Sequence, residues 1–401
     1  MRSLFLIYLL FIALVTLAYG LHNAIARNDW AMAEWLINYS GGFVRRGLLG
    51  EVALRFAHLC HVGPIAIVLA IQLALYGVFF LCVYKLTSGM RWTYATLAIL
   101  LSPATLAFQV LDPPGGFRKE ILLFALMGLV AVYLRPHHRL AFGRLAAFLL
   151  FATQVAVLSH EPLLVYLPYL FALVFLALPD PRQAVLVCLP AAVLSLLSFA
   201  VISRFSGDAA TAAAICASLG GQLNGNNQGI CGGAILWIGH SFNYARQQVA
   251  LSVRNLHYWT LYPFEILLTI LPFFFWALDA RKDSEIAPKL RIIFIAAGLS
   301  IAGSIPLFIV GADWGRWIYI HAVGLMLLVL AVERLRTPIA PPARTTAWLT
   351  RLRPAPVLLV LAYAILWTLP HMPLFPGRWG YIGLFHYLHA YASHHPPGPM
   401  G

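Results

Sequence analysis

The feature that most constrains this chain is a series of apolar runs, each close to the roughly 20 residues that a helix needs to cross a bilayer. Such runs recur from the first residues to about residue 369. Apolar residues make up 61% of the 401 residues and charged residues only 10%, a balance far from that of soluble globular proteins. We therefore predict an all-α, polytopic integral membrane protein.

The runs predict about eleven transmembrane helices in a single transmembrane domain over residues 1–401. The apolar stretch Leu145–Leu178 is interrupted at Ser159–Pro162, and we interpret it as two helices that meet at a tight turn. One long helix would leave the charge of Glu161 in hydrocarbon. The predicted spans lie near Ser3–Leu21, Gly63–Tyr84, Trp92–Val110, Glu120–Leu134, Leu145–Leu158, Pro162–Leu178, Ala184–Ser203, Tyr258–Leu278, Ile292–Gly311, Ile318–Val332 and Pro356–Leu369.

Loop charge predicts the orientation. With the N-terminus inside, the cytoplasmic loops are the basic ones, as the positive-inside rule requires. Three longer segments then lie outside: a first loop over residues 22–62 with interfacial helices, a large loop over 204–257, and a C-terminal tail over 371–401. The run after Arg2 also fits a signal peptide. The net charge of +13 is thus partly a topology signal, and no basic soluble face indicates nucleic-acid binding.

The segment GGFVRRGLLGE at residues 41–51 is too polar to cross a bilayer and too apolar for a free loop. We interpret it as a helix along the membrane surface, with the guanidiniums of Arg45 and Arg46 at headgroup level. Two adjacent guanidiniums can hold a phosphate or diphosphate by paired hydrogen bonds. An anchor that binds anionic lipid is an equally good interpretation of this stretch alone.

Other outer charges extend the candidate phosphate site. Arg118 and Lys119 begin a helix, where the helix dipole disfavours cations unless an anion binds there. Ordinary surface charges at a helix end are an equally good interpretation of this pair. His160 with Glu161 forms a weak acid–base signal, and pairing of Glu161 with an arginine is the alternative. In the turn DWGRW, a phosphate clamp competes with simple pairing; its charged residues are Asp313 and Arg316.

Asp29 follows the first span and is a candidate general base for an acceptor hydroxyl. Its alternative role is to cap a helix over Trp30–Ile37. Asp112, Glu161 and Asp313 are the other candidate catalytic carboxylates.

Cysteine and histidine usage adds two predictions. Cys216 and Cys231 flank a polar, turn-rich stretch of the large outer loop and are predicted to form a disulfide. The histidine-rich tail, with His386, His389 and His394, is interpreted as an outer tail rather than a metal site. We expect no cofactor and no tightly held metal, and a loosely bound divalent cation is left open.

With a long first outer loop, an acid after the first helix and many short helices, the chain resembles the GT-C class of membrane glycosyltransferases. Its scattered outer arginines and large outer loop also resemble Wzy- and EpsG-type polysaccharide polymerases. The segments GGFVRRGLLGE, FRKE and DWGRW are similar to those of bacterial surface-polysaccharide proteins. In the GT-C pattern the first-loop acid is the catalytic base, which implies Asp29. The chain departs from that pattern in lacking a pair of acids in this loop.

The resemblance implies glycosyl transfer at the outer face of a bacterial inner membrane. The donor would be a polyprenyl-phosphate-linked sugar and the partners a glycan acceptor and membrane lipids; oligomeric state is left open. Five cationic residues are the candidates for neutralising the donor phosphate: Arg45, Arg46, Arg118, Lys119 and Arg316. The alternative function is a lipid or small-anion transporter or flippase, which should carry charges deeper within its spans.

Overall fold

A computed structural model describes residues 2–133, 142–178, 180–221, 229–256, 258–335 and 354–373. Throughout these residues the regular structure is helical, without a β-strand. In chain order the α-helices are α1 Arg2–Ile25, α2 Leu48–Cys60, α3 Pro64–Thr87, α4 Tyr94–Leu101, α5 Phe108–Leu111, α6 Pro113–Gly116, α7 Ile121–Tyr133, α8 Phe142–Ser159, α9 Leu167–Ala177, α10 Pro181–Ile202, α11 Ala209–Ser218, α12 Gly233–Leu236, α13 Phe242–Asn255, α14 Tyr258–Ala280, α15 Ala287–Val310, α16 Trp314–Arg334 and α17 Pro354–Ile365. Three 3₁₀ segments lie at Ala33–Leu36, Glu161–Tyr166 and Trp237–Gly239.

Seven helices of the described chain are long and apolar enough to cross a membrane: α1, α3, α8, α10, α14, α15 and α16. The other four predicted spans fall on shorter helices, namely α4, α7, α9 and α17. The prediction of one helix over Trp92–Val110 is wrong. Helix α4 ends at Leu101 because Ser102, which precedes Pro103, has extended rather than helical dihedrals.

The predicted break within Leu145–Leu178 is confirmed. Helix α8 ends at Ser159, His160 is extended, and Glu161 begins the 3₁₀ segment that leads into α9. The backbone thereby places Glu161 at the end of two helices instead of in the middle of one, where its charge would be costly.

Polar contacts between helix termini identify one end of the helix bundle. We call it the opposite end, because it lies across the bundle from the charged side chains described below. Arg2 at the start of α1 donates to the hydroxyl of Ser88 just beyond α3. Arg334 at the end of α16 donates to the carbonyl of Lys85. Since α1 begins where α3 and α16 end, the start of α16 and the loop between α1 and α3 lie at the other end. We call that end the network end, after the charges described below.

Helix α16 forms the centre of the bundle. Apart from Arg316, His321, Glu333 and Arg334, its side chains are apolar on all sides, and they are buried along almost its whole length, as expected for a helix surrounded by others. It packs against α3, α7, α9, α14 and α15. Gly324 permits the closest of these contacts, because a Cβ there would lie 2.8 Å from the ring of Tyr169.

The segment between α1 and α3 is more deeply packed than the sequence predicts for the first outer loop. Helix α2 is present, but the predicted interfacial helix Trp30–Ile37 is instead a turn followed by the 3₁₀ segment Ala33–Leu36. The residues of this segment are apolar on every side except Glu34, and they are buried in the protein. Gly50 of α2 allows the contact, since a Cβ there would lie 1.9 Å from the carbonyl oxygen of Ile37.

Candidate functional site

A network of charged side chains lies at the network end. Four parts of the chain supply it: the segment between α1 and α3, the start of α7, the turn after α8 and the start of α16. Five cationic groups face four carboxylates, which leaves a surplus of one positive charge with His160 left out of the count. The members of this charge network are Glu34, Arg45, Arg46, Arg118, Lys119, Glu120, His160, Glu161, Asp313 and Arg316.

The centre of the network is fully closed to solvent. The Nε of Arg118 lies 2.5 Å from a carboxylate oxygen of Glu34. His160 bridges two carboxylates, with Nδ1 3.3 Å from Glu34 and Nε2 3.4 Å from Glu120. Burial alone would raise the pKa of Glu34, but Arg118 and His160 outweigh it and hold that pKa below its usual value. Within the described chain Glu34 accepts no well-directed hydrogen bond despite these short ion pairs, so charge attraction rather than hydrogen-bond geometry holds it.

Arg316 joins α16 to α7. Its guanidinium, 2% exposed, pairs with Glu120 and Asp313. Burial would raise the pKa of Glu120, yet Arg316 lowers that pKa to about 2. A buried guanidinium with two carboxylate partners is neutralised within the protein, so little of Arg316 remains for a ligand.

Arg45 and Arg46 lie at the rim of the network. Arg46 forms a two-pronged pair with Glu161, with contacts of 2.7 to 2.9 Å. Arg45 reaches the same carboxylate through one nitrogen at 3.3 Å, and its side chain is 37% exposed. The backbone of Arg46 has φ +68°, in the left-handed region that a non-glycine residue rarely adopts. Arg45 has the most exposed guanidinium side chain of the network and is therefore the one most accessible to a ligand.

Lys119 holds two of these segments together. Its ammonium donates to the carbonyl of Arg46 at 2.9 Å and to that of Ser159 at 3.0 Å. Burial lowers the pKa of Lys119 to about 8, although Glu34 opposes the change. The amine is completely buried and fixes the position of the Arg45–Arg46 segment relative to the end of α8.

Asp29 lies beside the network without a direct ion pair to it. The capping role considered for Asp29 belongs to Asn28, whose side-chain oxygen accepts from the backbone of Trp30 and Ala31 at 2.9 and 2.7 Å. Asp29 is half-buried, and burial raises the pKa of its carboxyl, an effect that its own backbone and Arg118 partly offset. A carboxylate with a raised pKa and incomplete pairing suits proton transfer.

The segment between α10 and α14 contacts the backbone of Asp29. The backbone N–H of Ala234 donates to the carbonyl of Asp29 at 3.1 Å. Gly233 is required there, since its φ is +38° and a Cβ would lie 2.5 Å from that same carbonyl oxygen. A disulfide joins Cys216 and Cys231, the pair predicted from the sequence, and so fixes the start of this supporting segment.

The ion pair between Asp112 and His371 was not predicted from the sequence. The ring Nδ1 of His371 lies 2.7 and 2.8 Å from the two carboxylate oxygens of Asp112. Asp112 also caps the turn at Gly115 at 3.1 Å. Burial would raise the pKa of Asp112 and lower that of His371, but their mutual attraction reverses both changes, which favours the ionised pair. No local signal could have found this contact, because its partners are 259 residues apart.

The structure thus brings nearly all predicted site residues to one end of the bundle. Arg118, Lys119, His160 and Arg316 lie inside the charge network, whereas Arg45, Arg46 and Asp29 lie at its rim. Asp112 pairs with His371. The tail histidines, from His386 onward, lie outside the described residues. Within the described chain no group of three or more His, Cys, Asp or Glu side chains has the arrangement of a metal site.

Comparisons with known proteins give no relative of this chain. No protein-family model matches it, no curated protein matches its sequence, and no solved structure matches its fold. The functional argument therefore depends on the site itself.

Proposed function

We propose that the protein is a membrane glycosyltransferase that moves a sugar from a polyprenyl-phosphate-linked donor to a glycan acceptor in cell-surface polysaccharide synthesis. One observation carries the proposal. A half-buried carboxylate with a raised pKa, Asp29, lies next to a network of arginines with a surplus of positive charge. Glycosyl transfer from a lipid phosphate needs both features, a base for the acceptor and a cationic site for the leaving group.

The donor phosphate binds at Arg45, with support from Arg46. These two side chains are at the rim, and Arg45 uses only one nitrogen for Glu161. The deeper cations Arg118, Lys119 and Arg316 are paired or bonded within the protein, so they act as a scaffold with a positive field. This assignment narrows the five cationic candidates of the sequence to two.

The reaction follows from these positions. Asp29 takes the proton of an acceptor hydroxyl, whose oxygen forms a bond to the anomeric carbon of the donor sugar. The bond between that carbon and the phosphate oxygen breaks, and its electron pair leaves with the phosphate. Arg45 stabilises the negative charge that develops on the departing phosphate. The chemistry needs no nucleotide and no cofactor.

The proposal includes a topology with the network end outside and the N-terminus in the cytoplasm of a bacterial cell, the protein residing in its inner membrane. The basic residues at the opposite end, Arg2, Lys85 and Arg334, support this orientation. About eleven crossings belong to this proposal, in which α7 leaves the network end and α8 returns to it, although α7 has only 13 residues.

The experiment is a profile of lipid-linked sugars in cells with the gene, with a deletion, and with the deletion complemented by Asp29→Asn or Glu51→Gln. We expect cells with the deletion and cells with Asp29→Asn to accumulate one unextended lipid-linked sugar. The two complementing variants should reach equal levels of protein in the membrane. Glu51→Gln is the matched control, because Glu51 lies in α2 and pairs with the exposed Arg55. An unchanged glycolipid pool in the deletion strain refutes the proposal.

One observation favours the alternative, a lipid or small-anion transporter. Glu265 is buried at 2% exposure within α14, and one of its oxygens has no hydrogen-bond partner among the described residues. Transporters place such ionisable groups along their paths. A deletion that leaves glycans intact but blocks movement of a lipid or anion, with Glu265→Gln reproducing the block, supports this alternative.

A further inference from the structure

Glu265 is a carboxyl group that is buried in a membrane-spanning helix and lies outside the charge network. Helix α14 begins at Tyr258, whose hydroxyl donates to the carbonyl of Ala312 at the network end. Glu265 follows seven residues later, roughly 10 Å along the helix towards the opposite end. It is 2% exposed, and one of its carboxyl oxygens has no hydrogen-bond partner among the described residues. An ionisable group at this depth indicates a functional site.

The surroundings of Glu265 favour its neutral, protonated form. No cationic side chain of the described chain forms an ion pair with it. The charge that acts on it is that of Asp112, which has the same sign. An ionised Glu265 would therefore be a buried charge without a counter-ion, within electrostatic range of a second negative charge. A proton on the carboxyl removes both costs.

The other titratable groups on α14 and on the helices packed against it leave this carboxyl unpaired. Helix α14 packs against α4, α13, α15 and α16, and Tyr363 of α17 donates to its backbone. The ring nitrogens of His321 on α16 are both bonded, one to Tyr169 and one to Ser304. Within the described residues the carboxyl is bonded to none of the following groups: Tyr94, Tyr244, Arg246, Arg254, Tyr258, Tyr262, Asp279, Lys289, Arg291, Arg316, Tyr319, His321, Glu333, Arg334 and Tyr363.

Tyr262 connects the surroundings of Glu265 to the ion pair of Asp112 and His371. It lies one helical turn before Glu265 on the same buried face of α14. Its hydroxyl donates to the carbonyl of His371 at 3.0 Å, and the ring of His371 contacts Asp112 at 2.7 and 2.8 Å. The segment that holds this ion pair therefore contacts α14 one turn closer to the network end than Glu265.

His371 is held by every polar atom except one. Its backbone N–H and its ring Nδ1 are bonded to Asp112, and its carbonyl accepts from Tyr262 and from the backbone of Gly315. Nε2 has no such bond in the described chain, and the side chain is 10% exposed. A carboxylate that orients one ring nitrogen and leaves the other free is the arrangement of an acid–base histidine. The ring is thus placed to pass protons between the network end and the interior.

On the other side of Glu265, the buried face of α14 carries no titratable side chain for three turns. The buried residues of this stretch are Thr269, Pro272, Phe273 and Trp276. The indole of Trp276 donates to Glu333 at 2.8 Å, and Trp276 lies roughly 16 Å along the helix from Glu265. A proton therefore reaches Glu265 from the network end.

We propose that Glu265 is a proton-binding site that exchanges its proton with the network end through His371 and Asp112. In the loaded state the carboxyl is neutral, and His371 is the imidazolium partner of Asp112. For release, the imidazolium gives a proton to solvent, and the neutral ring then takes the proton of Glu265, which becomes a carboxylate. Only O–H and N–H bonds change, so no other reactant is needed. The inference is independent of the proposed sugar transfer, and in the transporter alternative this proton is the coupling ion.

The first measurement is the infrared spectrum of full-length protein in phosphatidylcholine nanodiscs at neutral pH. A protonated carboxylic acid gives a carbonyl stretching band that a carboxylate does not give. The difference spectrum of wild type minus Glu265→Gln should contain one such band. Glu51→Gln is the matched control and should give no such band in its difference spectrum, because Glu51 is ion-paired with Arg55.

The second measurement tests the route. In heavy water the band shifts as the carboxyl exchanges its proton for deuterium, and the rate of this shift is followed after rapid transfer. His371→Asn keeps a side-chain N–H for Asp112 but cannot titrate, so exchange should slow roughly a hundredfold, the lower end of what a positioned acid–base group contributes. Asp112→Asn removes the orienting charge and should slow exchange as well. Asp279→Asn is the control and should exchange at the wild-type rate, because Asp279 is an exposed acid at the opposite end of α14.

The inference is overturned by a wild-type spectrum without the Glu265 band or by wild-type exchange rates in both route variants. Loss of the band when sodium replaces choline in the buffer also overturns it, because the ligand is then a metal cation. An unchanged melting temperature shows that a variant is folded, and two route variants are used so that misfolding of one leaves the other to decide. Neither measurement involves sugar transfer, so failure of the proposed reaction and failure of the proton site are separate outcomes.

Discussion

At the scale of single residues, two neighbours in the segment between α1 and α2 divide their roles. Asn28 caps the turn, whereas the carboxylate of Asp29, which accepts from the backbone of Asp29 and Trp30, stays half-buried and outside the ion pairs of the network. Since burial raises the pKa of Asp29 and a general base must be ionised, transfer should fall as the pH drops through that raised pKa. The measurement is kcat/KM against pH for purified protein. A kcat/KM that does not fall at acid pH contradicts the assignment of Asp29 as the general base.

Arg45 should contribute to the affinity of the protein for the lipid-linked sugar donor. Arg45→Gln removes a charge-assisted contact to the phosphate, so KM for the lipid donor should rise roughly tenfold or more, with the melting temperature unchanged. Arg55→Gln is the matched control, because Arg55 is exposed and its ion pair in the described chain is with Glu51, one helical turn away. Equal KM values for the two variants contradict a phosphate site at Arg45.

Glu34 should matter for stability. Glu34→Gln leaves the guanidinium of Arg118 buried without its carboxylate, which costs about 3 to 5 kcal/mol. We expect a lower melting temperature in detergent and partial recovery in the double variant Glu34→Gln/Arg118→Met, which removes the uncompensated charge. A wild-type melting temperature for Glu34→Gln shows that the buried pair contributes little.

At the scale of elements, the disulfide-bonded part of the large outer loop positions Asp29. The double variant Cys216→Ser/Cys231→Ser frees the segment that contacts the Asp29 carbonyl, and removal of a 15-residue loop constraint costs about 3 kcal/mol. We expect activity to fall more than membrane abundance. Cys188→Ser, a buried cysteine of α10 outside any disulfide, is the control. Full activity in the double variant contradicts a supporting role for this loop.

The helices and their contacts show how much of the fold and of the site can be predicted from the sequence. Apolar runs predict where most long helices lie, and the charge of Glu161 predicts the break between α8 and α9. The split at Ser102 was missed because hydropathy outweighed a single proline. The sequence offers an arginine as the partner of Glu161, and the structure confirms such a pair, but the sequence does not show that the partners are Arg45 and Arg46. The bridge of His160 between Glu34 and Glu120 was out of reach, because it depends on which helix ends meet in space.

At the scale of the whole molecule, we predict that the network end faces the outside of the cell and that the opposite end faces the cytoplasm. Arg55→Cys in a Cys60→Ser background places one exposed thiol at the network end, and Lys282→Cys places one at the opposite end. A membrane-impermeant maleimide should label the first in intact cells and the second only after permeabilisation. The reverse pattern would place the charge network in the cytoplasm and refute an extracytoplasmic reaction.

The most direct test returns the accumulated lipid to the protein. The lipid-linked sugar from deletion cells is added to purified protein in vesicles with cell-surface glycan, and its loss is followed by mass spectrometry. Wild type and Arg55→Gln should consume it and release polyprenyl phosphate, whereas Asp29→Asn should leave it intact. Wild-type protein that leaves the lipid unchanged, or Asp29→Asn that consumes it at the wild-type rate, contradicts the account.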